Sequence, residues 1–304
     1  MNNLGQYKFN NSHLGDMWLI FFSLSDSNSF EMSIGSKGRY GISTEAMMSV
    51  QNTITTIDFC YSRNAYSDAF TLIRKCRDDL MQYLFILHVI QNTHGLTNEE
   101  LENYTFDESS LIKMIEADFS ILISGKRKNE AQLAMESWMY NELENSKNSK
   151  FRRNYFDASK YKKYLMSADK NIEYIMNNFL NSLWNSSDRI LNNYVHANGR
   201  KYLTDNYIHQ LNKEKIDSEL VETLQHIVDI FLSLLAIIDS TKMMSSDYTD
   251  YRDMDMSPPD NCQYWVLPCV VDYMNHNLDY ELLSYIQSNE KNGMKFMITD
   301  YDDE

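Results

Sequence analysis

Hydrophobic residues recur along most of this chain with the period of an α-helix. In the segment that starts near Ala65, one stripe at 3.6-residue spacing is made of Ala69, Ile73, Cys76, Leu80, Leu84 and Leu87. A second stripe, in the segment 215–244, is made of Leu220, Leu224, Ile227, Phe231, Leu234 and Ile238. Each pattern predicts a long helix with one buried face, and the second helix is expected to close the core.

Further helical patterns occupy the regions between and beside these two stripes. They predict helices within 44–61, 96–125, 129–147, 171–184 and 262–288. The 304 residues include nine Gly and three Pro, far fewer turn residues than β-rich folds use. The chain is therefore predicted to be all-α, an elaborated helical bundle that forms one domain over 44–290.

The two ends of the chain differ in composition from this domain. Residues 1–43 are rich in Asn, Ser and Gly, and their apolar stretch at 17–22, MWLIFF, predicts a short strand or β-hairpin. We therefore interpret 1–43 as a short irregular or β-hairpin N-terminal extension packed on the helical body. Acidic residues concentrate in 245–256 and in the C-terminal tail 291–304, and both segments are expected to be solvated.

The charge and the apolar runs restrict the classes of partner. A formal net charge of −15 argues against a general nucleic-acid coat protein but is compatible with a local basic site. The most apolar run, 227–238, is too short to cross a bilayer and contains Asp229, which predicts a buried helix and no membrane partner. The N-terminus has no charged region followed by an apolar one, so we expect a cytoplasmic protein.

The sequence contains no pattern that predicts a metal or a cofactor. Its four cysteines form no CxxC pair and no Cys/His metal spacing, and are expected to be free thiols in a reducing compartment. No HExxH, Gly-rich phosphate loop or GxSxG is present. His88 and His226 lie among apolar helical residues and are expected to be core histidines.

The segment 188–202, DRILNNYVHANGRKY, combines residues that suit phosphodiester chemistry. Seven residues on an α-helix advance 700°, which leaves Arg189 and His196 about 20° apart around the axis. Asn192, Asn193 and Arg200 fall on the same side. The opposite side carries Ile190, Leu191, Tyr194 and Val195. Arginine offers a fixed fork to phosphate oxygens, and histidine exchanges protons near neutral pH. A solvated helical face is the alternative explanation, because so short a motif also occurs by chance.

The arrangement resembles the HEPN superfamily (higher eukaryotes and prokaryotes nucleotide-binding), over about residues 45–240. The residues that carry the resemblance are RILNNYVH at 189–196, which matches an Arg-x(4–6)-His motif, and LIRKCRDDL at 72–80, which is similar to a Leu-x-Arg-x-x-x-acid pattern through Arg74 and Asp78. YVHANG is also similar to the Tyr/Phe-Val-His-small end of the motif helix. The resemblance implies a helical bundle that is a metal-independent endoribonuclease without a cofactor.

This resemblance assigns roles to the residues of the motif. His196 would be the general acid or base as the ribose 2′-hydroxyl attacks the adjacent phosphate, and Arg189 would stabilise the developing negative charge. Asn192 and Asn193 would hydrogen-bond the RNA or orient the imidazole. One helix offers a single imidazole, whereas the reaction needs one proton taken and one given. A homodimer with two facing stripes is therefore expected.

One departure from the family pattern supports a different class of function. Catalytic members often carry a polar residue directly after the motif arginine, and this chain has Ile190. The rival hypothesis is a non-catalytic helical sensor or assembly subunit that binds a protein partner. By analogy with the family, the setting of either is bacterial antiphage defence or a toxin–antitoxin pair, with an antitoxin or defence-system protein as partner.

Two further groups of residues are candidates for RNA binding. Arg74 and Asp78 are spaced i, i+4 and would otherwise form an ordinary surface ion pair, and Arg77 beside them is expected to flank the apolar stripe. In the segment 147–164, basic residues alternate with aromatic ones, a composition that suits single-stranded RNA. Its candidate contacts are Lys160, Lys162 and Lys163, and Arg200 is added from the motif helix. The alternative is an exposed connector whose rings pack on the bundle.

Overall fold

The described part of the protein is a helical bundle with one short pair of strands. The computed structural model describes residues 7–27, 31–33, 39–92, 129–139, 157–205, 213–244 and 266–289, together with positions 251, 254 and 256. The strands and helices are α1 (Ser12–Ser27), β1 (Glu31–Ser33), β2 (Arg39–Gly41), α2 (Ile42–Ser62), α3 (Tyr66–Gln91), α4 (Glu130–Met139), α5 (Ala158–Ala168), α6 (Lys170–Ile175), α7 (Asn181–Val195), α8 (Arg200–Thr204), α9 (Lys213–Asp239), α10 (Pro268–Asn277) and α11 (Tyr280–Ser288). A π-helical turn (Met176–Leu180) joins α6 to α7, and a 3₁₀ turn (Ser240–Met243) follows α9. The predicted all-α class is confirmed.

Helices α3 and α9 form the centre of the core. Helix α3 contacts α2, α4, α5, α7 and α9, and both predicted apolar stripes are buried along their whole length. Helix α9 is long and apolar enough to span a membrane by length and composition. However, 78% of its most apolar window is buried inside the bundle, as in the core helix of a soluble protein. Packing in the core therefore accounts for its apolar composition.

The prediction of a strand or hairpin at 17–22 is wrong, because these residues lie in helix α1. The apolar positions Leu14, Met17, Phe21 and Leu24 repeat every three or four residues, a helical period, and all four are buried. The ring of Phe21 packs 5.7 Å from that of Phe231 on α9. An antiparallel hairpin does occur, but later in the chain, where β1 pairs with β2.

The beginning of α1 is tied to helix α2 by a buried carboxylate. Asp58, which is fully buried, accepts hydrogen bonds from the backbone N–H groups of Asn10 and Asn11 and from the hydroxyl of Tyr7. These bonds satisfy backbone donors just before the helix and fix its direction. The N-terminal residues from Tyr7 onward therefore belong to the same packed body as the main helices.

The remaining predicted elements agree with the structure where it describes them. The predicted helix at 129–147 is present as α4, and its later part lies outside the described residues. The predicted helices at 96–125, the segment 245–250 and the tail 291–304 lie outside them as well. The region 262–288 contains two helices, α10 and α11, which are separated by Leu278 and Asp279.

Candidate functional site

The motif helix α7 presents the predicted polar residues on its outer side. Arg189 and His196 are exposed, whereas Asn192 and Asn193 are half-buried. On the opposite side, Leu191 and Tyr194 are buried, and Ile190 and Val195 are half-buried. The helical spacing thus separated the two faces as the sequence predicted. Within the described residues, neither the Arg189 nor the His196 side chain has a hydrogen bond or an ion pair, so both are open to a ligand.

The inner face of α7 is anchored to α3 by aromatic stacking. The ring of Tyr194 stacks on that of Phe70, with centroids 4.0 Å apart, and Tyr202 meets Tyr194 edge-on at 4.8 Å. The Tyr194 hydroxyl donates a 2.9 Å hydrogen bond to Asp205. Burial, together with this carboxylate, raises the pKa of Tyr194, so the phenol remains a donor at neutral pH. The helix end that carries His196 is therefore held firmly against the bundle.

A buried arginine forms the second link between α3 and α7. Arg77 is 5% exposed, and its guanidinium donates to Asp188 at 2.7 Å and to Asp78 at 2.9 Å. The guanidinium carbon also lies 5.3 Å from the ring centroid of Trp184, within cation–π range. The expectation that Arg77 merely flanks the apolar stripe is wrong. Its fork satisfies two carboxylates at once, which a side chain reaching for solvent would not do.

Lys162 on α5 joins this cluster from a third helix. Its ammonium nitrogen lies 4.8 Å from the Trp184 ring centroid, and burial lowers its pKa against the opposing effect of Asp188. Burial likewise raises the pKa of Asp78, although the Arg77 charge acts in the other direction. Both shifts have the same cause, the low polarity of the α3–α5–α7 junction. We call Arg77, Asp78, Asp188, Trp184 and Lys162 the junction cluster.

Arg74 lies at the edge of the junction cluster. Its Nε is 3.8 Å from Asp78, so the predicted i, i+4 ion pair is present. The Arg74 side chain is 28% exposed, and its Nη1 is buried without a hydrogen-bond partner among the described residues. The two motifs quoted from the sequence therefore lie on neighbouring helices, and the contact between them runs through Arg77 and Asp188. Arg74 Nη1 is thus both enclosed and unpaired in the described structure.

The two motif asparagines are engaged by the protein. Asn192 donates through Nδ2 to Asp188 at 3.0 Å, which directs its amide toward the junction cluster. Asn193 accepts a 3.3 Å hydrogen bond at Oδ1 from Asn198. Neither asparagine hydrogen-bonds to the His196 imidazole in the described structure. An orienting role for them is therefore absent from the single chain, whereas the Asn193 amide nitrogen can still donate to a ligand.

The turn after α7 determines how His196 is displayed. His196 caps the helix, and its backbone N–H donates to the Asn192 carbonyl at 3.1 Å. Ala197 and Gly199 follow with φ of 47° and 144°, left-handed conformations of which the second favours glycine. Helix α8 then begins at Arg200, whose side chain is exposed. His196 and Arg200 are therefore both exposed, the first just before this turn and the second just after it.

The three lysines predicted to contact RNA occupy different environments. The Lys160 ammonium lies 3.3 Å from the carboxylate of Asp157, which caps α5. Lys162 is half-buried on Trp184, and Lys163 is exposed. Of the three, Lys163 is thus the most accessible to a phosphate. The preceding residues 147–156 lie outside the described structure.

Aromatic residues of the same segment pack into the bundle where the structure describes them. Tyr161 is buried and stacks on Phe85 at 5.0 Å, and Tyr164 meets Phe85 edge-on at the same centroid distance. These rings are consequently not free to stack on nucleobases. In this part of the segment the rings therefore pack on the bundle, as the connector alternative expects, and the lysines remain its candidate RNA contacts.

A second polar surface, which the sequence analysis did not identify as a site, lies on helix α9. Glu222, Gln225, His226 and Asp229 are spaced i, i+3, i+4 and i+7, so they share one face of the most apolar helix. They line a cavity of about 510 Å³ together with the π-helical turn and the start of α11. In the sequence, this surface is indicated by four polar residues that recur at helical spacing along an otherwise apolar helix.

Asp229 and His226 are the ionisable groups of that cavity with perturbed pKa values. Asp229 is 4% exposed and accepts a 2.9 Å hydrogen bond from the Tyr273 hydroxyl. Burial raises its pKa to about 7, against the effect of this hydrogen bond. His226 lies 3.4 Å from Ser187 and 3.8 Å from Glu222, and burial lowers its pKa. His226 is therefore a cavity residue and not the core histidine that the sequence predicted.

Comparison with models of known protein families, with curated protein sequences and with solved structures finds no match. Within the described residues, no group of three His, Cys, Asp or Glu side chains is placed to hold a metal ion. The proposed function therefore rests on the geometry of α7 and its surroundings.

Proposed function

We propose that this protein is a metal-independent endoribonuclease of the HEPN type that acts as a homodimer. The proposal rests on the positions of Arg189 and His196. Both lie on the exposed side of α7, and neither has a partner in the described chain. The other side of the helix is fixed by the Tyr194–Phe70 stack and the Arg77–Asp188 ion pair. A catalytic surface requires reactive side chains that are held in a fixed geometry, whereas a solvated helical face has no such requirement.

The proposed reaction is attack of a ribose 2′-hydroxyl on the adjacent phosphorus. His196 of one copy takes the hydroxyl proton as the new P–O bond forms, and the bond from phosphorus to the 5′-oxygen breaks. The imidazolium of the second copy gives its proton to that leaving oxygen, so one proton is taken and one returned. Arg189 from each copy stabilises charge on the non-bridging oxygens. The products are a 2′,3′-cyclic phosphate and a 5′-hydroxyl end.

Local charge supports RNA as the substrate in spite of the acidic chain. Arg189, Arg200 and Lys163 are exposed, and the Arg74 side chain is 28% exposed. Two copies facing each other would double this positive charge in one groove. A groove of this kind binds the phosphate backbone with a strong dependence on salt concentration. The setting that we propose, antiphage defence or a toxin–antitoxin pair, rests on analogy with the family.

A second candidate function is a non-catalytic helical subunit that binds a protein partner. It is favoured by the absence, within the described chain, of any group that orients the His196 imidazole, and by Ile190 after the motif arginine. Catalytic histidines usually have such an orienting partner. The two candidates predict different behaviour toward RNA.

Incubation of the purified protein with RNA in EDTA tests the proposal. The nuclease should generate new ends without a metal, and the 3′ ends should be 2′,3′-cyclic phosphates. Substitution of His13, an exposed histidine on α1, by Ala provides the matched control and should leave cleavage unchanged. Intact RNA after incubation with a folded, dimeric protein would favour the non-catalytic subunit.

A further inference from the structure

The cavity on helix α9 has a chemical character that the nuclease proposal does not use. Three carboxylates line it: Asp229 is buried, whereas Glu222 and Asp279 are exposed. The described lining residues include no Lys or Arg, and the pKa of their one imidazole, His226, is lowered by burial. The cavity is therefore electronegative from its exposed parts to its buried carboxyl group.

Asp229 is the residue that needs an explanation. A buried carboxylate is costly unless it is paired, and among the described residues Asp229 has no cationic partner. Its side-chain hydrogen bond comes from Tyr273, an uncharged donor that leaves the negative charge uncompensated. Burial raises the pKa of Asp229 to about 7, which means that neutral pH leaves the group close to the midpoint of its titration. Strongly perturbed carboxyl groups in a cavity are typical of binding sites.

Beside the amides of Asn178, Gln225 and Asn277, the cavity has hydrocarbon walls. They come from the π-helical turn, α7 and the α10–α11 region, and consist of Phe179, Leu180, Leu183, Leu278 and Leu282. A π-helical turn widens the helix locally and frequently occurs at functional sites. A volume of about 510 Å³ lies within the range of pockets for small organic molecules. The ligand should thus combine a positive charge with an apolar part.

We propose that this cavity binds a small organic ammonium ion, with the ammonium group at Asp229 and the hydrocarbon part against Phe179, Leu183 and Leu282. An ammonium group has three N–H donors. The Asp229 carboxylate accepts one of them in a charge-assisted hydrogen bond, and the imidazole of His226, neutral at pH 8, can accept another. Exposed Glu222 and Asp279 attract the cation toward the cavity. Gln225 and Asn277, joined by a 2.7 Å hydrogen bond between their amides, stiffen the wall between α9 and α10.

Binding of n-pentylamine, compared with neutral 1-pentanol, is the direct test. Isothermal titration at pH 8 should detect pentylammonium binding, with pentanol bound at least about tenfold more weakly because it has no charge for Asp229. Asp229→Asn keeps the shape and still accepts from Tyr273, and it should weaken amine binding by about 10- to 100-fold. Equal binding of pentanol, or no binding of the amine, would overturn the proposal.

Asp217→Asn is the matched control for this variant. Asp217 lies on the same helix and also accepts a tyrosine hydroxyl, from Tyr66 at 2.6 Å, but it does not line the cavity. Its substitution should leave amine binding unchanged. If both variants weaken binding equally, the effect is general to the helix and the assignment of Asp229 is wrong.

The pH dependence gives an independent measurement on the wild-type protein. Protons compete with the amine for Asp229, so the apparent affinity should fall by up to about tenfold per unit as pH decreases below 7. His226, Glu222 and Asp279 line the same cavity, and protonation of each would also oppose a cation, whereas Tyr273 bonds to Asp229 but does not line the cavity. Asp229→Asn should therefore flatten most of the profile, and a profile identical in the variant would contradict the proposal.

Leu183→Lys covers the case in which Asp229→Asn does not fold. Leu183 is half-buried at the cavity wall, and a lysine there brings its own ammonium group to the carboxylates. This variant should bind pentylamine at least about tenfold more weakly, because its own cation occupies the place of the ligand. Unchanged amine binding in this variant would overturn the proposal.

Discussion

Helix α7 has an outer and an inner polar edge, which differ in residue type and in environment. The outer edge carries Arg189 and His196, which are exposed and lack partners within the described chain. The inner edge carries Asp188 and Asn192, which belong to a hydrogen-bonded network around Arg77. The side chains at the outer edge are free to bind a ligand, whereas those at the inner edge form the bonds that join α7 to α3. Burial and pairing, more than residue type, separate a candidate site from a structural link.

The largest expected effect is the loss of RNA cleavage when the outer edge is removed. His196→Ala should lower the rate constant by about 10²–10⁴-fold, and Arg189→Ala by about 10²–10³-fold, because each removes a group that acts in the transition state. Neither side chain is packed, so circular dichroism and thermal unfolding should be unchanged.

Arg63→Ala is the control for a general loss of positive charge. Arg63 is exposed directly after α2 and belongs to neither sequence motif, so its removal should have no effect on cleavage. Cleavage by either outer-edge variant at the wild-type rate would remove the site assignment. Unfolding of both variants would show that the outer edge is structural.

The inner edge should respond in the opposite way, with a loss of stability. Arg77→Ala leaves the carboxylates of Asp78 and Asp188 next to each other without their shared cation. Complete burial of such groups costs about 3–5 kcal/mol when one partner is removed. Since both carboxylates are about a third exposed, we expect a decrease of about 2–3 kcal/mol in the free energy of unfolding, measured by urea titration.

Lys75→Ala provides the comparison on the same helix. Lys75 forms an i, i+4 ion pair with Asp79, but its side chain is 51% exposed. Exposed pairs of this kind contribute about 0.3–0.5 kcal/mol. If Arg77→Ala destabilises the protein no more than Lys75→Ala, the junction cluster does not hold α3 and α7 together.

The contrast between the two edges also explains how far the sequence could be interpreted. Periodicity identified the buried stripes of α3 and α9 and the exposed stripe of α7, because it depends on local helix geometry alone. The strand or hairpin predicted at 17–22 follows from the composition of residues 1–43, although Leu14, Met17 and Phe21 have the helical spacing of α1. Periodicity missed the role of Arg77, whose partner Asp188 lies more than a hundred residues further along the chain. Tertiary pairing of this kind leaves no local pattern.

The α9 cavity was missed for a related reason. Asp229 is a charge within the most apolar run, and in the sequence it argues only against a membrane span. Its spacing from Glu222 and His226 places the three on one face, which the sequence could have indicated. What the sequence could not supply is the opposite wall, which comes from the π-helical turn and from α11. A cavity requires both sides, and they meet only in the folded chain.

A smaller effect should distinguish inner from outer lysines on helix α5. Lys163 is exposed, whereas Lys162 lies over Trp184 and Lys160 is paired with Asp157. In the inactive His196→Ala background, replacing all three by Gln should weaken RNA binding and reduce its salt dependence. One lost phosphate contact lowers the slope of log K against log salt by about 0.7 for single strands.

The exposure of these side chains sharpens that expectation. Lys163→Gln alone should account for most of the change in slope, because its ammonium group is the most accessible. Fluorescence anisotropy over a range of salt concentrations measures both slopes. A slope unchanged in the triple variant would make this segment a packed connector, as its buried rings suggest. A change that depends mainly on Lys162 would contradict the distinction between inner and outer lysines.

The smallest effect, and the most specific, is the recovery of activity in mixed dimers. If two outer edges face each other around one phosphate, the His196→Ala subunit still contributes Arg189, and the Arg189→Ala subunit still contributes His196. Mixing these two inactive proteins should restore a small fraction of wild-type cleavage, since each mixed dimer holds one arginine and one imidazole in a shared site, with water in place of the missing imidazole as proton donor to the leaving oxygen. The control is a preparation that contains only the His196→Ala subunit, which should show no cleavage. Light scattering measures whether the subunits associate at micromolar concentration. A monomer that cleaves RNA at the wild-type rate would contradict the shared site, because a single α7 supplies neither the second imidazole nor the second arginine.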